Sequence, residues 1–409
     1  MKKTLLYILT VWFIITQTLP PFNLIMPVTG AMQVAIFVGG FMVLYPRLLT
    51  KRSIIAMFVY GLVMFMYFML GNKFFPAINN VVIPFLFMMS GLLIAEYTLQ
   101  YDYDYKYTRL VLITVFLCNL LMSAITIPQF ALNPNIVYGT IVNSEMGDAE
   151  RQLYSFVISY QTVHGIALVM APLVFLSRKL FREHKVQSLL LSAGTIVLLY
   201  VVYKSNGTTA MLMSLMMAGV GLVVNIEQFN KKSLHRFVFV GLLGFILIQP
   251  GVIVPILKTM QSTMETNSGN YKKLDEVQDK ILFDESGGDL GYREELYQSS
   301  VTLFLESPIW GTSSPDKIGK HSYIRDRLAL YGLLFIIPLV LVFVYHDKTV
   351  YRSLRHTKVI YFFSIVGMLF MLFMKNEFEQ GTWLYGFAYL PLLCRYADYV
   401  IDTNGVKNR

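Results

Sequence analysis

Charge is what this chain has least of. Only 14% of its 409 residues are Asp, Glu, Lys or Arg, while 55% are hydrophobic and the mean hydropathy is +0.55. A soluble domain carries about 25% charged residues, so this chain cannot cover a wet surface, and a soluble enzyme and a disordered chain are both excluded. Cysteine is nearly absent. Cys118 and Cys394 both lie inside apolar runs, which excludes a disulfide-stapled secreted domain and a thiolate metal site. Strand-like alternation is missing as well, and continuous apolar runs argue against a membrane β-barrel. The formal net charge of +9 would suggest nucleic acid in a soluble protein. Here no nucleic-acid partner is expected, because the lysines and arginines follow a membrane topology instead.

What is present in quantity is apolar sequence in runs of about 17–23 residues. Each run is long enough to cross roughly 30 Å of hydrocarbon as a helix. Twelve are expected to span: 4–20, 23–45, 53–70, 77–99, 109–127, 156–177, 186–203, 208–226, 236–257, 326–346, 359–375 and 382–401. The first follows Met1-Lys2-Lys3 as a signal peptide would, but it leads into Leu19-Pro20-Pro21 rather than a small-residue cleavage site, so it is read as a span. The segments with the weakest pattern are 208–226, rich in Gly and Met, and 382–401, which carries Arg395. With the N-terminus inside, twenty lysines and arginines fall in inner loops and tails, and the outer loops other than 258–325 hold only Lys73, Arg151, Lys204 and Lys375. This is the positive-inside pattern, so both termini are expected in the cytoplasm. The chain then divides into helices one to nine over 1–257, an extracytoplasmic loop over 258–325, and helices ten to twelve with a tail over 326–409.

The long loop splits by sign. Residues 264–295 sum to −5, and residues 317–327, where the chain re-enters the membrane, sum to +3. Asp289 can cap a helix continuing through Arg293, Glu294 and Glu295. Leu296, Tyr297, Val301, Leu303 and Phe304 then form an apolar stripe at helical spacing, ended by Pro308 and Gly311. This amphipathic helix is expected against the bundle or the bilayer surface.

Several polar residues carry candidate chemistry, each with a plainer alternative. Asp102 and Asp104 form a D-x-D that could share a hard cation. The topology puts the pair on the cytoplasmic side, where a solvated loop among tyrosines explains it without a metal. His321 sits at the water–lipid edge beside Lys320, Arg325 and Arg327. Those cations favour a neutral imidazole able to take a proton from a hydroxyl, or the residue is an ordinary interfacial histidine. Arg293 and Arg151 are arginines of the two long outer loops. Each offers a fork for phosphate, or else pairs with neighbouring acids. Tyr160, Gln161 and His164 lie at or inside the sixth span, where polar groups face the bundle or a cavity. His164 is either a second functional histidine or one satisfied by an adjacent helix. Glu377 and Glu379, before the last span, could pair with the arginines or stay in a solvated loop. The Met211, Met213, Met216 and Met217 stripe reads as packing.

Four stretches read in order are more specific: Gly291-Tyr292-Arg293, Phe304-Leu305-Glu306-Ser307-Pro308-Ile309-Trp310-Gly311, His321-Ser322, and Leu330-Tyr331-Gly332-Leu333-Leu334. Together they resemble the Wzy-type O-antigen and capsular polysaccharide polymerases and the related O-antigen ligases. The resemblance implies a GT-C-like, metal-independent glycosyltransferase on the outer face of the bacterial inner (plasma) membrane. Its donor would be an undecaprenyl-pyrophosphate-linked oligosaccharide, already activated, so no cofactor is implied. A chain-length regulator and a flippase are the expected protein partners, with membrane lipid around the bundle. Carried over by position, His321 and Arg293 are the expected catalytic residues. Arg151, Lys320, Arg325, Arg327, Tyr160 and His164 are expected to bind pyrophosphate or substrate, and no metal is expected. The chain departs from the family at Ser205-Asn206-Gly207-Thr208-Thr209, where a usual arginine is missing, and in the spacings after Arg151 and Arg293. Polymerase is the expected activity, with ligation to a lipid core as its alternative and transport of a lipid-linked oligosaccharide as a more distant one.

Overall fold

The computed structural model describes residues 1–19, 30–70, 82–133, 136–137, 157–181, 184–205, 207–224, 250–264, 269–283, 288–312, 318–319, 322–374 and 381–407. They form helices α1 (Lys2–Thr18), α2 (Gly30–Leu44), α3 (Arg52–Leu70), α4 (Ile83–Tyr101), α5 (Lys106–Leu132), α6 (Tyr160–Leu180), α7 (Lys185–Lys204), α8 (Thr208–Val223), α9 (Pro250–Ser262), α10 (Gly269–Phe283), α11 (Gly288–Glu306), α12 (Tyr323–Ser353), α13 (Lys358–Met374), α14 (Gly381–Leu384) and α15 (Leu390–Lys407). There is no strand among the described residues. The fold is that of an all-helical integral membrane protein. Among the described residues, five helices are long and apolar enough to cross a membrane: α4, α5, α6, α7 and α12. Shorter apolar helices lie at α2, at Arg52–Met66 within α3, at α8 and at α13. A helix lies within each of the expected segments, while residues 23–29, 77–81 and 236–249 of those segments lie outside the described residues.

α6 is the hub. It is the most buried of the long apolar helices, with 89% of its most hydropathic stretch inside the bundle, and it packs against α7, α8 and α15. Ser159 starts it, accepting from the Thr162 amide at 3.1 Å. Close approach on all sides requires small residues. A Cβ on Gly165 would meet the Tyr385 ring at 2.3 Å, and one on Gly221 of α8 would meet the Ala171 carbonyl at 2.5 Å.

The last helical segment is held at both ends. α14 leads into a π-helical turn at Tyr385–Tyr389 and then into α15. Trp383, Phe387 and Tyr389 are buried, and Tyr385 donates to Asn119 Oδ1 at 2.8 Å. Arg395 explains why this segment tolerates a cation. Its guanidinium donates to the carbonyls of Thr98 and Asp102 at the end of α4 and stacks over Tyr105. Three residues further along α15, Asp398 accepts from the amides of Arg355, His356 and Thr357 at 2.6–3.1 Å, closing the exposed start of α13.

α12 is interrupted. Gly332 has φ 64 and ψ −164 inside it, where helical hydrogen bonding stops. Donors and acceptors stranded in apolar surroundings cost several kcal/mol each, and a neighbouring segment satisfies these. The turn after α11 docks there backbone to backbone. Leu333 donates to the Pro308 carbonyl at 2.9 Å, Leu334 to Ile309 at 3.4 Å, and Thr312 to Ala329 at 2.7 Å. Gly311, with φ +72, makes the approach possible, since a Cβ there would sit 2.2 Å from the Leu330 carbonyl. A Cβ on Gly332 would sit 2.3 Å from the Ile309 carbonyl. Gly332→Ala should therefore lower stability by roughly 1–3 kcal/mol from the backbone conformation alone, with the contact adding to it. A thermal midpoint in detergent will fall well below that of wild type, whereas Ile309→Ala, a change at a side chain 54% exposed, will leave it nearly unchanged.

Candidate functional site

α11 begins at Gly288 and ends just before Pro308, since the residue ahead of proline disfavours helix. Only part of the expected apolar stripe turns inward. Leu296, Leu303 and Phe304 are half-buried around a fully buried Ser300, whereas Val301 is 43% and Leu305 69% exposed. Val301 thus belongs to the outer edge, continuing through Leu305 to the exposed Ile309 and Trp310. Trp and apolar side chains on such an edge suit the water–lipid boundary.

Ser300 is the pivot because it faces the start of α12. It donates to Asp326 Oδ1 at 2.7 Å and accepts from the Gly319 amide at 3.0 Å. The other carboxylate oxygen of Asp326 accepts from the Ser322 amide at 2.9 Å. Ser322 caps α12, its hydroxyl accepting from the Arg325 amide at 3.4 Å. Gly319 lies so close to α11 that a Cβ would meet the Leu296 carbonyl at 2.3 Å. The buried carboxylate therefore ties both ends of the stretch 319–322 to two helices at once.

Two of the expected cations follow in the first turn of α12, and both are half-buried. Arg325 lies over the Tyr297 ring at 4.4 Å, and the Tyr297 hydroxyl donates to the Met374 carbonyl at the end of α13 at 3.1 Å. Arg327 donates to the Tyr331 hydroxyl at 3.1 Å and lies over Tyr323 and Tyr331 at 5.4 and 5.7 Å. Ring stacking uses the face of a guanidinium and leaves its N–H edge oriented for an oxyanion.

Tyr160 and His164 are 1% and 2% exposed at the start of α6. His164 Nδ1 is 3.0 Å from the Tyr160 carbonyl, which can only accept, so Nδ1 carries the proton. The two rings are 4.6 Å apart. The Tyr160 ring also packs on the turn that lacks the family arginine, 3.1 Å from where a Gly207 Cβ would stand. A short relay connects this end of α6 to α12: Thr382 donates to the Gln161 carbonyl at 3.2 Å, and Trp383 packs 5.5 Å from Tyr323. The same ends of α6 and α12 thus carry Tyr160, His164, Arg325 and Arg327. His321, Lys320 and Arg151, like Glu377 and Glu379, lie outside the described residues. Arg293 is in α11 by its backbone, and its side chain lies outside them too.

Beside this region is a cavity of about 590 Å³ between α8, α10 and α13. Thr208 and Thr209 line its α8 end, Met213, Met217 and Gly367 its wall, and Lys273 of α10 its rim. The D-x-D pair does not converge. Asp102 is buried and accepts from the Tyr107 and Thr108 amides at 3.1 and 2.8 Å and from the Thr108 hydroxyl at 2.6 Å. Asp104 is exposed and paired with Lys106 at 3.1 Å, which holds its carboxyl below the usual range. No group of metal-ligating side chains occurs among the described residues.

The residues that sequence reasoning undervalued are Ser300 and Asp326. Asp326 reads from sequence as one negative charge among cations, since it stands one position beyond the N3 site where a capping serine is usually matched by an acid. Asp326→Ala should free the 319–322 stretch at a cost of roughly 1–3 kcal/mol for the unpaired donors. Asp326→Asn will rescue only in part, because one of its two positions then presents an N–H to a donor. Faster amide exchange at Ser322 in both variants, larger in Ala, checks this.

The O-antigen ligase family model matches residues 193–326, from within α7 to Asp326 itself. No curated protein matches the chain.

Proposed function

We propose that the chain polymerises undecaprenyl-pyrophosphate-linked oligosaccharide units into a surface polysaccharide, a reading that the O-antigen ligase family match over residues 193–326 supports. The transfer takes place on the outer face of the bacterial plasma membrane, in a GT-C-like bundle of twelve crossings with both termini in the cytoplasm. A flippase delivers the donor and a chain-length regulator acts on the product.

The observation that carries the reading is the clamp at the start of α12. Asp326 and Ser300 hold the 319–322 stretch against the turn that presents Arg325 and Arg327. His321 lies within that stretch by sequence. In the reaction the acceptor hydroxyl oxygen forms a bond to the anomeric carbon of the donor sugar. The bond from that carbon to the pyrophosphate oxygen breaks, and undecaprenyl pyrophosphate leaves with the electron pair. The hydroxyl proton passes to the His321 imidazole. Arg293, Arg151, Lys320, Arg325 and Arg327 take up the charge growing on the leaving group, which is electrostatic catalysis by fixed cations. Tyr160 and His164 line the sugar side. The apolar cavity between α8 and α13 supports a place for the polyprenyl tail, with Lys273 at its rim.

The family description favours a second reading, ligation of a finished glycan to a lipid core. Both readings share the chemistry and differ in the acceptor. His321→Ala is expected to reduce transfer by roughly 10²–10⁴-fold, and Arg293→Ala to reduce it strongly too, with normal membrane expression. In a polymer-ladder assay, loss of long chains with surface attachment of single units intact supports polymerase. Loss of attachment alone supports ligase, and unchanged ladders in both variants remove these residues from the mechanism. Gly367→Phe, which fills the cavity against Met213 and Met217, will raise KM for a long-tailed donor more than for a short prenyl analogue.

A further inference from the structure

The end of α12 farthest from Arg325 and Arg327 carries a second, differently built pocket. It has a volume of about 410 Å³ and lies between the first turn of α3, the last turn of α4 and the last turns of α12. Lys51, Arg52, Lys348 and Arg352 line it, and the single acid in its wall is Glu96. Glu96 is 2% exposed and already served by neutral donors: Ser53 Oγ at 2.6 Å and Gln100 Nε2 at 3.3 Å. Among the described residues none of the four cations makes an ion pair. Four positive charges therefore converge on a polar hollow whose one carboxylate is turned into the wall.

Two features say what belongs there. Arg and Lys together grip phosphate oxygens, the arginine by its fork and the lysine as a point charge. The hollow also opens onto an apolar flank. One and two turns from Lys348 on the same face of α12 are Val344 and Leu341, 50% and 39% exposed, and Ile55 and Val59 stand likewise above Arg52 on α3, 49% and 47% exposed. Side chains of this kind at the surface of a membrane bundle face acyl chains. A soluble phosphate would use the cations and leave the flank unexplained. A phosphate joined to fatty chains uses both.

We propose that this pocket binds the phosphate headgroup of an anionic phospholipid, in the leaflet opposite to the Arg325 and Arg327 site, with its acyl chains along Leu341, Val344, Ile55 and Val59. In the topology read from sequence this is the cytoplasmic leaflet. Basic pockets between helix ends on that side are suited to such lipids. The site is independent of the transfer chemistry and stands whether the enzyme polymerises or ligates.

The test is native mass spectrometry of the full-length protein released from nanodiscs containing phosphatidylcholine with either phosphatidylglycerol or cardiolipin. Wild type should retain the anionic lipid over phosphatidylcholine. Arg352→Gln and Lys348→Gln, both at exposed positions, should each reduce retention about fivefold, and the double variant more. Lys185→Gln, at the first residue of α7 and outside the pocket lining, should retain lipid as wild type does. Equal retention of phosphatidylcholine, or anionic lipid held equally by wild type and the double variant, overturns the proposal. Displacement of the lipid by millimolar inorganic phosphate or glycerol phosphate overturns it as well, since the pocket would then serve a soluble phosphate. Size-exclusion profiles matching wild type confirm that lost retention is not lost fold.

Discussion

The structure rests on a trade of backbone hydrogen bonds in an environment that supplies no water. Breaking α12 at Gly332 strands peptide groups that a continuous helix would have paired, and the turn at Pro308–Thr312 takes them up. The break and the turn are each untenable alone. Together they anchor the polar segment before α12 to the bundle through backbone hydrogen bonds. Glycine appears at both faces of the joint because carbonyls approach to a distance that excludes a Cβ on either side.

From that anchor the second level of order follows. With the turn fixed, α11 lies along the first half of α12, Ser300 faces Asp326, and the pair binds Gly319 and Ser322. Arg325 then lies over the Tyr297 ring, and Arg327 over Tyr323 and Tyr331. These rings fix the direction of each guanidinium. An apolar, Met-walled cavity and a cationic turn end up around the same end of the bundle, which suits the amphiphilic donor proposed above.

Much of this was legible in the sequence. Apolar run length located the helices, because a membrane-crossing helix must satisfy its own backbone and so announces itself by composition. The last segment was legible in its extent, but its arginine was not, because Arg395 is satisfied by carbonyls from a helix nearly three hundred residues earlier. The Ser-Pro-Ile-Trp-Gly and Tyr-Gly-Leu stretches stood out as a pattern, yet their meaning did not, since each is the other's hydrogen-bond complement. Periodicity put Val301 with the apolar stripe of α11 without saying whether that stripe met the bundle or the bilayer, and packing against α12 turned Ser300 inward. A buried serine is indistinguishable in sequence from a solvated one, and Asp326 was masked by the cations around it. The acids at 102 and 104 show the converse: a metal-like spacing whose members part, one into a cap and one into water.

The π-helical turn at Tyr385–Tyr389 has a consequence for how this protein can vary. Such a turn amounts to one residue more than an α-helix needs over the same rise. Deleting that residue restores ordinary pitch over the same rise and leaves the turns downstream in place, whereas deleting one between Leu390 and Cys394 rotates everything beyond it by about 100°. Arg395 would then swing away from the carbonyls of Thr98 and Asp102, and Asp398 from the three amides at 355–357. A change of length is therefore tolerated at the π-helical turn and purged from the stretch between it and Arg395.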